Sequence, residues 1–316
     1  MVVRLVRALA ATSAAVLVTA AACTDLSGLS GGTEPFLIDA DLPGPDPEPE
    51  PGPQPGGGDA STEPRCDPSK PFGAPEPMTA FERDYSSVKG AFATPDELEV
   101  FYLGFVPGGG EWELRHARRE ARDAPWGESE VVPLDPTPDG FLSINGSGLK
   151  LYFWEFDTHY SATRGALGEP FTGQKPFGEP RANWTFVGAA EEEAYFAVYE
   201  GGSGNNKVIK RAPVLGDELG DASTVPNIHV APSNDDRPVL NLSETALYFA
   251  SNRDGGVGLA DVWVARRASR EEPFGEPVHV PELSSDRPDH VSWVSDDDCE
   301  IFLDRASKIL FARRGR

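Results

Sequence analysis

The chain has 316 residues, with 51 acids against 28 Lys and Arg and a net charge of -23. That balance argues against nucleic acid or anionic headgroups as partners, since both are repelled by a strongly acidic surface. The 33 Gly and 30 Pro punctuate almost the whole length, which disfavours long helices and points to short strands joined by turns.

Residues 1–22 read as a secretory signal. Arg4 and Arg7 precede an apolar run from Leu9 to Val18, and Ala20, Ala21 and Ala22 lead into Cys23. The run is too short to span a membrane and ends in small residues. Ala-Ala-Cys resembles the bacterial lipobox, although Ala20 stands where Leu is preferred. The resemblance implies that Cys23 is diacylated and becomes the new N-terminus. The expected location is then an exported lipoprotein of the outer membrane, touching the bilayer through its lipid only. A freely secreted protein is the other reading.

Residues 23–70 form the expected tether. From Pro43 to Pro55, Pro alternates with Gly, Gln or an acid, and Gly56, Gly57 and Gly58 follow. Such a segment favours extended polyproline-type backbone and repels itself, so it acts as a disordered, semi-rigid spacer. Setting Cys23 aside leaves Cys66 and Cys299, an even pair in an oxidising compartment. A disulfide between them ties the two ends of the folded region; two separate buried thiols are the alternative.

Residues 71–316 carry a repeat. Short aromatic strings centre on Phe101, Tyr152, Tyr195, Tyr248 and Phe302, at intervals of 51, 43, 53 and 54 residues. Each reads as a buried strand. A second strand follows each, ending in basic residues such as Arg118-Arg119, Arg266-Arg267 and Arg313-Arg314, with turns at Gly108 to Gly110, Gly201-Gly202 and Gly255-Gly256. A third element, Pro-aromatic-Gly, recurs at Pro125-Trp126-Gly127, Pro176-Phe177-Gly178 and Pro273-Phe274-Gly275, as suits an edge strand. Four strands per unit of about 50 residues is the pattern of a propeller blade. The last unit lacks its Pro-aromatic-Gly element, and Pro71-Phe72-Gly73 supplies one from the other end. The expected fold is therefore an all-β propeller of five four-stranded blades, the N-terminal strand closing the last blade; six blades are the alternative.

The fourth unit, with Asp236-Arg237-Pro238, Leu247 to Gly256 and Asp261 to Ala265, resembles the WD40-like Pro-Asp repeat of TolB-type propellers. The resemblance implies a fold and no activity. TolB-type propellers have six blades where five are counted here. The usual Ser-Pro-Asp-Gly turn is replaced by Asn145-Gly146-Ser147-Gly148 and by Asp296-Asp297-Asp298.

Asp139, Asp236 and Asp286 stand at comparable repeat positions. With Arg237 and Arg287 they are the candidates for lining one channel mouth, where capping of turns is the competing role. Arg253 and Asp261 fit a bridge within the fourth blade. Of the six Trp residues, most of which fall in the expected strands, Trp154 and Trp184 are the ones the strand pattern places least firmly, and they are candidates for an aromatic platform. The five His residues form no metal motif, the Asp296 triplet lacks the spacing of a calcium loop, and no nucleophile elbow or phosphate loop occurs. No cofactor, metal or catalytic residue is expected. The expected role is a monomeric, non-enzymatic binding or scaffold module for a protein or glycan of the cell envelope. The alternative is a glycoside-acting enzyme using channel carboxylates.

Overall fold

Strand succeeds strand from Glu76 to Arg313 in a computed structural model that describes residues 64–316 apart from 157, 179–182 and 201–205. The expected signal peptide, the lipidated Cys23, most of the tether and the Gly201-Gly202 turn lie outside the described residues. The described residues fall within the unit Ser61–Arg316.

Strand β1 (Glu76–Pro77) and the single turn of helix α1 (Thr79–Glu82) come first. Blade one holds β2 (Ser87–Ala93), β3 (Glu99–Phe105), β4 (Trp112–Arg118) and β5 (Glu130–Val131). Blade two holds β6 (Gly140–Ile144), β7 (Lys150–Glu155), β8 (Thr158–Thr163) and β9 (Thr172–Pro176). Blade three has β10 (Asn183–Val187), β11 (Glu193–Tyr199) and a long β12 (Lys207–Leu215), whose two ends pair with β13 (Glu218–Leu219) and β14 (Ser223–Thr224). Blade four holds β15 (Asp235–Leu240), β16 (Ala246–Ser251), β17 (Asp261–Arg266) and β18 (Val278–His279). Blade five has β19 (His290–Val294), β20 (Glu300–Arg305) and β21 (Lys308–Arg313), completed by β1.

The innermost strands β2, β6, β10, β15 and β19 neighbour one another in a closed circle. The architecture is a five-bladed β-propeller. Burial follows from the ring: β6 and β16 are buried along their full length because neighbouring blades cover both faces of each sheet, whereas β1 and β5 at the outer edge are exposed. Tyr102, Tyr195 and Tyr248, each in a second strand, are almost wholly enclosed, and their hydroxyls are hydrogen-bonded to Ser129, Glu193 and Asp298.

Closure uses the N-terminal segment, from the Pro-Phe-Gly element itself to three and four residues beyond it. Phe72 bridges Arg314, the Gly73 amide donates to Arg313 O at 2.8 Å, and regular pairing runs from Glu76 opposite Phe311. Cys66 is joined to Cys299 by a disulfide across 233 residues.

The basic ends of the third strands form a repeated latch. Arg119, Arg164, Arg267 and Arg314 each send Nε to a turn carbonyl, at Glu97, Gly148, Glu244 and Asp298, over 2.7, 2.8, 2.7 and 2.8 Å. Their guanidinium groups lie over Trp126, Phe171, Phe274 and Phe72 at 4.3, 4.7, 4.3 and 3.8 Å. In blade two the aromatic partner is therefore Phe171, not Phe177 of the expected Pro176-Phe177-Gly178. Phe177 packs on Tyr152, and Gly178 donates to Asp217 O of blade three.

The accepting turns join first to second strands. Glu97, Gly148, Glu191, Glu244 and Asp298 all have positive φ there, between 56° and 73°. Blade one does keep a near match to the Ser-Pro-Asp-Gly turn, as Thr94-Pro95-Asp96-Glu97. Acids in a conformation that favours Gly are held by partners: Glu191 reaches Lys150 (3.1 Å) and Tyr152 of blade two, and Asp298 reaches Arg266 and Tyr248 of blade four.

Candidate functional site

Every innermost strand carries one extra residue relative to its partner, between Lys89 and Phe92, Gly140 and Leu142, Asn183 and Phe186, Asp236 and Val239, and Val291 and Trp293. Such bulges bend a strand and re-aim a side chain. Here they turn Gly90, Phe141, Trp184, Arg237 and Ser292 towards one space on the axis, together with Lys89 and Asp304. Gly90 has φ 67°, a conformation Gly adopts freely; Trp184 at 56° and Arg237 at 50° occupy it against preference.

The space is nearly filled. Arg237 lies 3.8 Å over the Trp184 ring, Trp184 meets Phe141 edge-on at 6.1 Å, and Trp154 stands 5.8 Å from Trp184. About 10 Å³ remains between the lining side chains, room for about one water. The two Trp residues singled out as a platform are thus in contact with each other.

The electrostatics are unusual for so acidic a chain. Among the described residues, the Arg237 guanidinium makes no hydrogen bond or ion pair; its stabilising neighbour is the Trp184 face. Lys89 Nζ donates to Asp139 O at 2.6 Å and lies 3.8 Å over Trp112, without a carboxylate partner among those residues. Burial lowers the pKa of both cations. Asp304, which accepts the Gly90 amide at 2.9 and 3.0 Å, faces them. Burial raises its pKa to about 6 against the opposing pull of that bond and of Arg237 and Lys89. His290, paired with Asp304 across the sheet, is driven down to about 3 by burial and by the Arg237 and Lys207 charges, so it is neutral at pH 7.

Around this plug lies the mouth at which the innermost strands begin. Asp236 pairs with Lys207 at 2.5 Å, and Lys207 lies over Tyr199 at 5.0 Å. Asp139 Oδ2 accepts the Phe156 amide at 3.3 Å. Phe156 and Tyr199 are 74% and 52% exposed, an aromatic rim. Four buried polar atoms of this region lack a hydrogen-bond partner among the described residues: Asp139 Oδ1, Trp154 Nε1, Thr185 Oγ1 and Ser292 Oγ. Unmet groups of this kind call for water or ligand.

Asp139, Asp236 and Arg237 therefore belong to one mouth, while Asp286 and Arg287 do not share their register. Those two are exposed, on the loop before β19, and do not line the axial space. The positions that match in the ladder are Asp139, Asp235 and Asp289. Asp235 and Asp289 are fully buried and latch the second strand: Asp235 to Arg253 at 2.6 Å and to His229 at 2.7 Å, Asp289 to Arg305. Arg253 thus bridges to Asp235, not to Asp261, which accepts amides of its own loop at Val257 and Gly258. The mismatch was written in the sequence. The Asp-Arg-Pro triplets are 50 residues apart, but the aromatic strings they should track are 54 apart.

No family model and no curated protein matches the chain. Solved structures align with parts of it. TolB from Acinetobacter baumannii aligns at 12% identity over 72% of this chain and 55% of that one, with a TM-score of 0.47. A GH43 glycoside hydrolase aligns at 10% identity over 76% and 51%, with a TM-score of 0.45. A luciferin-regenerating enzyme aligns at 12% identity over 76% and 95%, with a TM-score of 0.40. The chain thus spans about half the length of the TolB chain.

Proposed function

We propose that this chain is a lipid-anchored protein of the cell envelope whose propeller binds a protein or glycan, without catalysis, at the plugged mouth. The carrying observation is the set of unmet polar atoms around the unpaired Arg237, behind a rim of exposed aromatic rings. Fixed polar groups among aromatic faces suit recognition. The exported, anchored part of the reading is supported by the residues of 1–23 and by the Cys66–Cys299 disulfide, since such bonds persist in oxidising compartments. Membership of the WD40-like Pro-Asp repeats is supported by the Thr94-Pro95-Asp96-Glu97 turn and the Asp235–Arg253 latch.

The test is capture from envelope extract by the full chain, compared with a Phe156→Ser, Tyr199→Ala double variant. A partner retained by the parent and lost by the variant is the expected result. A second reading, glycoside hydrolysis, is favoured by Asp304, whose pKa of about 6 would suit a general acid. Turnover on a glycan panel that disappears in Asp304→Asn or Asp236→Asn, with no mouth-dependent partner, would overturn the binding role.

A further inference from the structure

Blade four holds exposed apolar side chains on a tightly bonded backbone. Val257 and Leu259, in the loop between β16 and β17, are 63% and 70% exposed. The loop itself is fixed. Asp261 accepts the Val257 and Gly258 amides at 3.0 and 3.1 Å, and a Cβ at Gly258 would stand 2.0 Å from Ser285 O. Val230, 58% exposed, lies on the loop leading into β15, where Ser233 Oγ donates to Val230 O at 2.6 Å. The two loops are joined, the Asn234 amide donating to Asn252 Oδ1 at 2.7 Å. Loops this well bonded, holding three aliphatic side chains in water, gain nothing from those side chains within the chain.

Beside them opens a cleft of about 440 Å³, walled in part by Val230, Pro232 and Pro277. Where the axial space admits about one water, this cleft admits a whole side chain. Asp254 and Glu276 line it, both exposed, and neither carboxylate makes a hydrogen bond or ion pair among the described residues. Arg253, the cation among the described lining residues, is spent on Asp235 at 2.6 Å.

The occupant follows from shape and charge. Apolar walls that end in carboxylates fit an aliphatic stem with a cationic head, the build of Lys and Arg. A second copy of the chain, at net charge -23, is repelled, and so are anionic headgroups. A sugar would stack on an open aromatic face. The ring lining this cleft, Trp263, is only 8% exposed and already meets Arg253 at 5.0 Å and His279 at 5.1 Å. A protein segment with basic and apolar residues side by side meets every condition.

We propose that this surface of blade four docks a basic, apolar segment of a partner protein. A Lys or Arg enters between Asp254 and Glu276, and apolar side chains cover Val230, Val257 and Leu259. The surface is separate from the plugged mouth: the cleft shares no lining residue with the axial space, and Phe156 and Tyr199 rise from blades two and three.

The probe is a short labelled peptide of Lys, Leu, Ser and Gly, titrated against the full chain in non-ionic detergent. Binding is read by fluorescence anisotropy with empty micelles subtracted. Two control peptides carry Glu for each Lys, or Ser for each Leu. The Lys-Leu peptide is expected to bind at least about 10-fold more tightly than either control. Asp254→Asn/Glu276→Gln weakens it about 5-fold and flattens its salt dependence. Val257→Ser/Leu259→Ser weakens it about 10-fold at every salt concentration. Phe156→Ser/Tyr199→Ala leaves it unchanged. Circular dichroism checks that each variant folds; should one fail, the other blade-four variant carries the test. Equal binding of the Glu peptide, or full binding by both blade-four variants, overturns the proposal. Loss in the Phe156→Ser/Tyr199→Ala variant alone also overturns it, and moves protein binding to the mouth. No binding of the Lys-Leu peptide removes this second surface and leaves any capture at the mouth standing.

Discussion

At the scale of single residues, His290 and Asp304 set opposite pH responses side by side. His290 falls from 6.5 to about 3 in the folded protein, so the unfolded chain takes up its proton first, and stability drops as pH falls below 6.5. Asp304 rises from 3.8 to about 6, so the folded protein takes up that proton first, and stability increases as pH falls from 6 towards 3.8. The two partly cancel in the parent. Thermal melts at pH 7 and pH 4 are expected to separate them. His290→Gln should show a smaller loss of Tm on acidification than the parent, and Asp304→Asn a larger one, each by several degrees. A parallel shift of all three proteins would contradict the assignment. Little of this pairing was legible beforehand. Arg237 and Asp236 could be chosen because they precede an aromatic string, but the bulge that points Arg237 inward depends on one extra residue, which leaves no compositional mark. Trp154 and Trp184 stood out because the repeat placed them least firmly, and both lie within strands, β7 and β10. Asp235 and Asp289 were not legible because each adjoins an Asp-Arg-Pro triplet, one before it and one after it, and the repeated triplet masks the unequal spacing around it.

At the scale of elements, the propeller is held by a latch that repeats more faithfully than any motif of adjacent residues. Arg267 is the clearest case. It is 2% exposed at the side chain, donates to Glu244 O at 2.7 Å, stacks on Phe274 at 4.3 Å and stands 3.8 Å from the Glu244 carboxylate. Arg267→Ala removes all three contacts and leaves a buried carboxylate less compensated. We expect it to cost about 2–4 kcal/mol, read by denaturant melts. Arg118→Ala, at a 52% exposed side chain in the preceding ladder position, should cost less than about 1 kcal/mol. The Pro-aromatic-Gly element was legible in blades one and four because Arg and aromatic lie at fixed separation. In blade two Pro170-Phe171 takes the part, and the better-looking Pro176-Phe177-Gly178 serves the neighbouring blade. The spacing from the Arg does distinguish the two: Phe171 follows Arg164 by seven residues, as Trp126 follows Arg119 and Phe274 follows Arg267, whereas Phe177 lies thirteen away.

At the scale of the whole molecule, five blades were legible from five aromatic strings, since each second strand is buried on both faces and tolerates little but aromatic and aliphatic residues. Ring closure was legible as well, from an element missing at one end and present at the other. The disulfide reinforces that closure. Cys66→Ala/Cys299→Ala is expected to lose about 2–5 kcal/mol and to raise amide exchange first along β1 and β21, with the β16–β17 hairpin little changed at temperatures well below Tm. Uniform protection throughout the ring would contradict that.

The same bond has a mechanical consequence. Tension applied to the chain ahead of Pro64 meets Cys66 before it meets β1, whose pairing spans two residues only. The covalent link carries the load sideways into Cys299, next to the first residue of β20, which is laddered on both sides by β19 and β21. The load therefore falls on a strand paired along both edges and not on a short edge strand paired along one, and the seam of the ring is shielded from whatever pulls on it.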